Sequence, residues 1–231
     1  MVIDTECSGL PKNWKVPYSQ KDNWPYVVQV AWLIFHWDGI VVKKENFYII
    51  NSDYSIEPSA RAIHHISDDF LQEKGVPRKD VLVKLKFDLL QYRPIVVGHF
   101  VELDYHLLNV EFTRIGSDSP FTDLPFFCTM QASARLPQMD VRRQLRLVDL
   151  FRYLFSEEQP FPHNAIYDAE ATARCFFTIK EMLPLTLKDV MEQKPIVQDN
   201  AFKKNTRILG LVLIVLFILL LLMVGSQLFV H

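Results

Sequence analysis

Four carboxylates and one histidine stand in three separate parts of the chain, and their types suit metal-dependent chemistry. They are Asp4, Glu6, Asp104, His163 and Asp168. Two divalent cations about 3.5–4 Å apart can stabilise both the attacking and the leaving oxygen during in-line cleavage of a phosphodiester. Carboxylate oxygens without a neighbouring cysteine suit Mg²⁺ or Mn²⁺ better than zinc. The residue set therefore predicts a site that binds two such ions.

The first two carboxylates lie in a segment that reads as a β-strand. Side chains alternate between the faces of a strand, so Asp4 and Glu6 share one face and Thr5 takes the other. Two like charges side by side push their pKa values apart, and a cation between them removes the conflict. Asp4 is predicted to bridge both ions. Glu6 and Asp168 are predicted to complete the shell of one ion, and Asp104 to approach the other.

The histidine is predicted to act beside the ions as a base. His163 precedes Asp168 by more than one helical turn, so we expect it on the loop that leads into the Asp168 helix. An imidazole has an ordinary pKa near neutrality, which suits a general base that activates water.

Each of these elements also has a plainer interpretation. Asp4 and Glu6 could be a solvated pair in a loop, and Asp104 could be a helix-start charge that the helix dipole favours. His163 and Asn164 could simply cap the next helix, because Asn is a good N-cap residue. Three motifs in this order, each at a strand end or a helix start, favour the metal site over these alternatives.

The motifs resemble those of the DEDDh-type 3′–5′ exonucleases of the ribonuclease H-like superfamily, which include polymerase proofreading subunits and ribonuclease T. Residues 3–10 resemble the first motif, a strand that ends in Asp-x-Glu and is followed by Gly-Leu. Residues 95–104 resemble the second, a strand followed by Gly-His and then Asp, and residues 163–169 resemble the third, His-x4-Asp-Ala. Residues 62–67 and 128–130 resemble the family's Ile-His-Gly-Ile-Thr and Cys-Thr-Met segments.

The resemblance spans roughly residues 1–183 and implies both a fold and a set of roles. The implied fold is α/β and ribonuclease H-like, a mixed central β-sheet flanked by helices. The implied metal ligands are Asp4, Glu6, Asp104 and Asp168, with Mg²⁺ or Mn²⁺ as two bound ions. The resemblance implies that His163 is the base that deprotonates the attacking water. The activity that it implies for the chain is that of a 3′–5′ exonuclease.

Two positions depart from the family pattern, and both lie where substrate handling could differ. Phe100 stands where many relatives have Asn after the second-motif His, and one replacement for the lost polar contact is a stacking surface for a terminal base. His65 stands where relatives have Gly, so it must be strained if that Gly adopts a positive φ. The residues that we expect to contact substrate are Thr5, Leu10, His64 and Phe100.

The hydrophobic pattern predicts the implied fold independently. Residues 27–37 form a long β-rich run, and Asp38-Gly39 is a strong hairpin signal that leads into strand segments at 40–42 and 47–50. Apolar residues recur at helical spacing over 79–91. A short buried strand at 95–97 enters a helix from about Glu102 to Ile115, and a last core helix is predicted from Ala165 to Leu183. Strands followed by alternating strands and helices predict a mixed sheet flanked by helices.

The end of the chain differs in composition and predicts a membrane anchor. Residues 208–230 carry no charge, and about 20 apolar residues span a bilayer as a helix. Lys203, Lys204 and Arg207 precede this run, so we expect the large domain to stay in the cytoplasm of a tail-anchored protein. The predicted organisation is an exonuclease domain at 1–188, a tether at 189–207 and a transmembrane helix at 208–230. The three cysteines lack metal-type spacing, which fits free thiols in a reducing compartment.

The net charge of the chain favours a nucleic-acid partner that is bound at its end. A net charge of −2 disfavours sequence-blind binding along a long duplex. A single-stranded end needs fewer phosphate contacts, and aromatic side chains can stack on its bases. The best candidate surface is the segment after Leu10, whose aromatic and basic residues alternate; its aromatic residues could instead pack on the sheet. The residues concerned are Lys12, Trp14, Lys15, Tyr18, Lys21 and Trp24.

The leading hypothesis is a membrane-tethered, Mg²⁺- or Mn²⁺-dependent 3′–5′ exonuclease that acts on the 3′ end of single-stranded nucleic acid, with DNA favoured weakly over RNA. One alternative is a catalytically silent nucleic-acid-binding or scaffold module at the membrane. Another is a polymerase-associated proofreading subunit. The short strand before Asp4 is a further expectation: either it frays, or residues upstream would extend it and raise the thermal stability.

Overall fold

A computed structural model describes residues 1–20, 22–50, 52–137 and 144–193. These residues build one mixed β-sheet with helices packed on its two faces. The strands are β1 (Val2–Cys7), β2 (Val27–Phe35), β3 (Val41–Tyr48), β4 (Val96–Gly98) and β5 (Phe126–Cys128). The helices are α1 (Pro58–His64), α2 (Asp68–Lys74), α3 (Arg78–Tyr92), α4 (Val101–Arg114), α5 (Thr129–Ser133), α6 (Leu147–Phe155), α7 (Ala165–Met182) and α8 (Leu187–Met191).

The strand order is β3-β2-β1-β4-β5, which places the first strand of the chain at the centre of the sheet. β1 pairs antiparallel with β2 and parallel with β4, and β4 pairs parallel with β5. β2 is buried along nearly its whole length, and all of its residues except Gln29 are apolar. The predicted mixed sheet with flanking helices is thereby confirmed.

The predicted hairpin is present between β2 and β3. Gly39 has φ 94°, a conformation that favours glycine, and the Asp38 carboxylate accepts a 3.0 Å hydrogen bond from the Ile40 N–H. The two predicted strand segments that follow the turn are joined in one strand, β3, which pairs with β2 from Val41 to Tyr48.

The two faces of the sheet are covered by different helices, and this division sets up the site. Val2 of β1 and Ala31 of β2 share a core with α6 and α7. Asp4 and Glu6 have the same strand parity as Val2 and therefore lie on that face, as predicted. On the other face, the Trp32 Nε1–H donates to the Asp88 carboxylate of α3.

The start of β1 is firmly paired. The Met1 amino group donates a 2.8 Å hydrogen bond to the Ile95 carbonyl, and the Val97 N–H donates to the Met1 carbonyl. Val2 is already in register with Leu33 of β2. Burial lowers the pKa of the Met1 amine to about 5. The strand that carries Asp4 is therefore anchored on both sides and is not frayed.

Within the described part of the chain, no helix is both long and apolar enough to cross a bilayer. The predicted transmembrane segment at 208–230 and the tether from 194 onward lie outside the described residues and stay predictions. The packed structure continues to Gln193, whose side chain bonds both the N–H and the carbonyl of Cys128. α8 spans the predicted boundary at residue 188.

Candidate active site

Three predicted site residues come together beside β1. Glu6, His163 and Asp168 each offer a ligand atom, and these atoms all lie within 4.8 Å of one another. Glu6 comes from β1, Asp168 from the first turns of α7, and His163 from the loop just before that helix. The loop position of His163 agrees with the sequence prediction. Because two carboxylates and an imidazole converge, this cluster has the chemistry of a cation site.

The other two carboxylates border the same cluster from the middle of the sheet and from α4. The carboxyl group of Asp4 is close enough to feel the charges of Asp104, Asp168 and Glu6. Asp104 is buried, and its Oδ1 accepts a 2.7 Å hydrogen bond from the Thr5 hydroxyl. Thr5 lies on the opposite face of β1 from Asp4 and Glu6, and its hydroxyl reaches Asp104 on α4. The sequence predicted Thr5 as a substrate contact, and the structure gives it a bond to Asp104.

Burial raises the pKa values of the whole carboxylate group. The pKa of Glu6 rises to about 8, first through desolvation and then through the charges of Asp168 and Asp104. The pKa of Asp104 rises to about 7 through desolvation, which outweighs its hydrogen bonds from Thr5. Desolvation and the three neighbouring carboxylates raise the pKa of Asp4 well above its usual range. A cation bound among these four carboxyl groups would stabilise their ionised forms.

Asp168 is held by donors on both carboxylate oxygens. Its Oδ2 accepts the His163 N–H at 3.1 Å, and its Oδ1 accepts a hydrogen bond from the Gln159 side chain. These bonds oppose desolvation, and the pKa of Asp168 is raised to about 6. Gln159 is buried, and sequence reasoning missed it because it lies in an irregular loop without periodicity or motif.

The imidazole of His163 is suited to accept a proton. His163 is exposed as a whole residue, but its ring is partly desolvated. This desolvation and the charge of the nearby His65 lower the pKa of the imidazole, which keeps the ring neutral near pH 7. Its backbone has φ 62°, so a left-handed turn delivers the side chain to the carboxylates. A neutral imidazole beside acidic groups can take up a proton from water.

The start of α7 is fixed by a glutamine and not by the expected cap. Asn164 occupies the N-cap position, but its side chain makes no capping hydrogen bond. Its Oδ1 accepts instead from the Gln29 Nε2–H at 3.0 Å, while Gln29 Oε1 accepts the Ala165 N–H at 3.2 Å. Asn164 therefore takes the N-cap position that the plainer interpretation gave it, but without the side-chain capping bond. Gln29 was missed because it reads as an ordinary interruption of an apolar strand.

The two departures from the family pattern both have left-handed backbone. His65 has φ 59° and caps α1, and Phe100 has φ 61° and caps α4. Side chains with a Cβ are strained there, so the predicted strain at His65 is present. The preceding His64 is buried, and its Nδ1 accepts the Ile66 N–H at 3.0 Å. The substrate contact that the sequence predicts for His64 stays a prediction.

The aromatic segment after Leu10 divides into buried and exposed parts. Trp24 is 2% exposed and packs in the core, as the plainer alternative held. Trp14 is 38% exposed, and Leu10, predicted to contact substrate, is 69% exposed. Lys12 and Lys15 are also exposed, whereas Lys21 lies outside the described residues.

Fold and site together define an α/β protein with acidic side chains gathered around the central strand of a mixed sheet. The model of the RNase_T family, described as Exonuclease, matches residues 1–176, and the chain belongs to this family. The predicted enzyme class, a nuclease, is thereby confirmed. A comparison with curated protein sequences returned no match.

Solved structures of two exonucleases share the fold. Exonuclease X in complex with 5′-overhanging duplex DNA aligns with a TM-score of 0.56 at 22% identity, over 83% of this chain and 96% of that one. E. coli Exonuclease I in complex with a dT13 oligonucleotide aligns with a TM-score of 0.64 at 18% identity. That match covers 79% of this chain and 41% of Exonuclease I. A zinc-bound form of the Exonuclease I complex with single-stranded DNA aligns with the same TM-score of 0.64.

Proposed function

We propose that the protein is a divalent-metal-dependent 3′–5′ exonuclease that removes nucleotides from the 3′ end of single-stranded nucleic acid. The observation that carries the proposal is the convergence of Glu6, His163 and Asp168 within 4.8 Å, with Asp4 and Asp104 close enough for their charges to act on the same carboxylates. Membership of the exonuclease family supports the reaction class.

The donor set fits a pair of hard cations. Asp4, Glu6 and Asp168 would hold one ion and Asp4 with Asp104 the other, since their oxygens suit Mg²⁺ or Mn²⁺. Their raised pKa values are those of a group that lacks a compensating charge. The zinc-bound Exonuclease I structure supports a divalent ion in this class of site. Bound ions would polarise the phosphodiester and stabilise the charge that develops on the attacking and leaving oxygens.

The protein side chains supply positioning and proton transfer. His163 would take the proton of the attacking water, because its ring is neutral near pH 7 and lies beside Glu6 and Asp168. Gln159 would hold Asp168 in its ligating orientation through the hydrogen bond to Oδ1. Thr5 would do the same for Asp104.

The substrate is proposed to be a single-stranded 3′ end, with DNA ahead of RNA. The Exonuclease I structures contain oligodeoxynucleotides, and the Exonuclease X structure contains duplex DNA with a 5′ overhang. The net charge of this chain, −2, also favours contacts with a few nucleotides at a strand end over a long interface with a duplex.

The test follows the digestion of 5′-labelled single-stranded DNA and RNA by the full chain with Mg²⁺ or Mn²⁺. Asp104→Asn and His163→Ala should each lower the rate by at least about 100-fold, because a metal ligand or the general base is lost. Asp123→Asn, which changes an exposed carboxylate outside the site, is the matched control and should be fully active. Absence of a metal-dependent ladder from the 3′ end, or full activity in both site variants, would refute the proposal.

A further inference from the structure

A group of exposed apolar side chains lies at the hairpin between β2 and β3. Ile40 is 61% exposed and Val41 is 54% exposed. Trp37 and Val42 are exposed too, and together with Tyr92 at the end of α3 they line one cavity of about 270 Å³. We call these five residues the hairpin surface. Exposed apolar residues that adjoin one another in this way mark an interaction site, whereas single ones do not.

The hairpin surface lies at the opposite end of the sheet from the carboxylates. β2 runs antiparallel to β1, with Gln29 opposite Glu6 and Leu33 opposite Val2. Trp37 is eight residues beyond Gln29 in the sequence, which is roughly 25 Å of extended chain. A partner bound to the hairpin surface would therefore leave the carboxylate site open to nucleic acid.

The residue types suit the interface of a lipid bilayer. The Trp37 ring packs against Phe176 with centroids 6.3 Å apart, and the Lys180 Nζ lies 4.5 Å from the Trp37 centroid. Tryptophan and tyrosine rings concentrate at the level of the lipid headgroups. Lysine can bury its stem there while its ammonium group stays in water. The aliphatic side chains of Ile40 and Val41 would reach the acyl chains below.

The charges beside the hairpin surface favour a zwitterionic headgroup over a nucleic acid. The Lys43 Nζ lies 2.7 Å from the Asp88 carboxylate. Lys44 pairs with Glu170 in the same way. The turn itself carries the acidic residue Asp38. Lysines that already have acidic partners are poor ligands for a row of phosphates, which binds through unpaired positive charge.

The rest of the sequence gives a reason for a bilayer to be near. The described structure ends at Gln193, whose side chain bonds Cys128 at the end of β5, and the predicted span begins at residue 208. The 14 residues of 194–207 reach at most about 45–50 Å when extended. That length is compatible with contact between the hairpin surface and the bilayer.

We infer that the hairpin surface contacts the interfacial layer of a phospholipid bilayer, an inference that goes beyond the proposed function and rests on the predicted membrane span. Ile40 and Val41 insert beside the acyl chains, and Trp37 and Tyr92 lie among the headgroups. The contact is peripheral and its role is orientation. It turns the carboxylate site toward the aqueous phase, where a nucleic acid can reach it.

The test measures tryptophan emission of the full chain reconstituted into phosphatidylcholine vesicles, with and without bromine atoms on the acyl chains. Bromine quenches a tryptophan that it contacts. None of the four tryptophans lies in residues 208–230, so the predicted span gives no signal, and Trp24 and Trp32 are buried within the protein. We expect brominated lipid to lower the emission. Trp37→Phe should abolish this loss, and Trp14→Phe should leave it.

Two further variants separate lipid contact from loss of structure. Ile40→Asp should remove most of the quenching, because a charge is costly among acyl chains. Leu187→Asp, at a leucine of α8 that is 51% exposed, is the matched control and should keep the quenching. Both variants should keep the melting temperature of the unmodified protein, since the side chains they replace are mostly exposed.

Equal emission of the unmodified protein in both kinds of vesicle, or a loss that persists in Trp37→Phe, would overturn the lipid contact. A second copy of the chain is the other possible occupant of this surface. Equal emission, together with a dimer in detergent that Ile40→Asp converts to a monomer, would overturn the lipid contact and assign the surface to that copy. Digestion of single-stranded DNA by the same vesicles tests the proposed function separately.

Discussion

Each acidic residue of the site is in conflict with its surroundings when no cation is present. Glu6 and Asp104 are desolvated, and their carboxylates lie near those of Asp4 and Asp168. Raised pKa values are the expected response, because protonation removes the repulsion. The residues that bind metal should therefore also control how the stability of the metal-free protein depends on pH.

We expect the metal-free protein to lose stability as the pH rises from about 5 to about 8. The folded pKa of Glu6 is about 8 and that of Asp4 is raised well above its usual range, so the folded state holds protons that the unfolded state lacks. Stability then falls as pH rises through the folded pKa values, by about 1–3 kcal/mol. Denaturant unfolding in EDTA at several pH values measures this slope.

Two controls isolate the carboxylates in that experiment. The Met1 amine, whose pKa falls from 8.0 to about 5, works in the opposite direction, but it does so with or without metal. Mn²⁺ displaces the carboxyl protons and should flatten the curve, and Glu6→Gln should flatten the curve recorded in EDTA. Identical slopes in EDTA and in Mn²⁺ would show that these carboxylates do not hold the ion.

His65 offers a second test at a single residue. Its φ of 59° costs a residue with a Cβ about 1–2 kcal/mol, whereas glycine adopts it freely. His65→Gly should therefore raise the free energy of unfolding by about 0.5–1 kcal/mol, after the greater entropy of glycine in the unfolded chain is subtracted. Ala62→Gly, inside the same helix, should instead lower it by about 1 kcal/mol. A less stable His65→Gly protein would mean that the imidazole makes a stabilising contact.

Sequence reasoning identified the residues that do chemistry better than those that position them. Asp4, Glu6 and Asp168 could be found because their types and spacing match a reaction. Gln159 and Gln29 could not, because a glutamine that orients a neighbour leaves no periodicity and no charge pattern. Their importance arises only when the chain brings loop, strand and helix together.

At the scale of elements, the start of α7 decides where the third motif lies. The free backbone N–H groups of a helix start need acceptors, and here Gln29 of the buried strand β2 supplies one for Ala165. The same side chain also donates to Asn164. His163 and Asp168 flank this point, so the strand fixes the approach of both residues to Glu6.

Gln29→Leu should therefore weaken both folding and metal binding. The substitution keeps the volume but leaves the Ala165 N–H and the side-chain oxygen of Asn164 without the partners they now have, at a cost of about 1–3 kcal/mol. A shifted helix start should also lower the affinity for Mn²⁺ by about 10-fold. Denaturant unfolding and calorimetric titration with Mn²⁺ measure the two effects.

The matched control is Gln91→Leu, on the exposed surface of α3. It should change neither quantity appreciably. Normal Mn²⁺ affinity in Gln29→Leu would show that the third motif keeps its place without help from β2.

Elements with long periodic patterns were predicted well, and short ones were not. α3, α4 and α7 span many turns, so their apolar spacing fixed each end to within a residue or two. α1, α2, α5 and α8 have seven residues or fewer, too few for a clear helical period. β4 has only three residues, yet it was predicted because it is wholly apolar and directly precedes the second motif.

At the scale of the whole molecule, the predicted membrane span lies apart from the part of the chain that matches the family. The family match ends at residue 176, whereas residues 208–230 have the composition of a membrane span. Among the described residues, the last one placed at the site is Asp168. Activity and membrane attachment should therefore be separable.

We expect the full chain to stay with the membrane fraction after alkaline carbonate extraction, and a chain of residues 1–193 to remain in the supernatant with unchanged specific activity. Ile214→Lys with Ile218→Lys keeps the length and should also release the protein, because each lysine costs about 2.5–3.5 kcal/mol at the centre of a span. Extraction of the unaltered chain into the supernatant would contradict the anchor. Retention of the double-lysine variant would place the membrane contact elsewhere in the protein, since two buried charges in one segment disfavour insertion whatever its neighbours do.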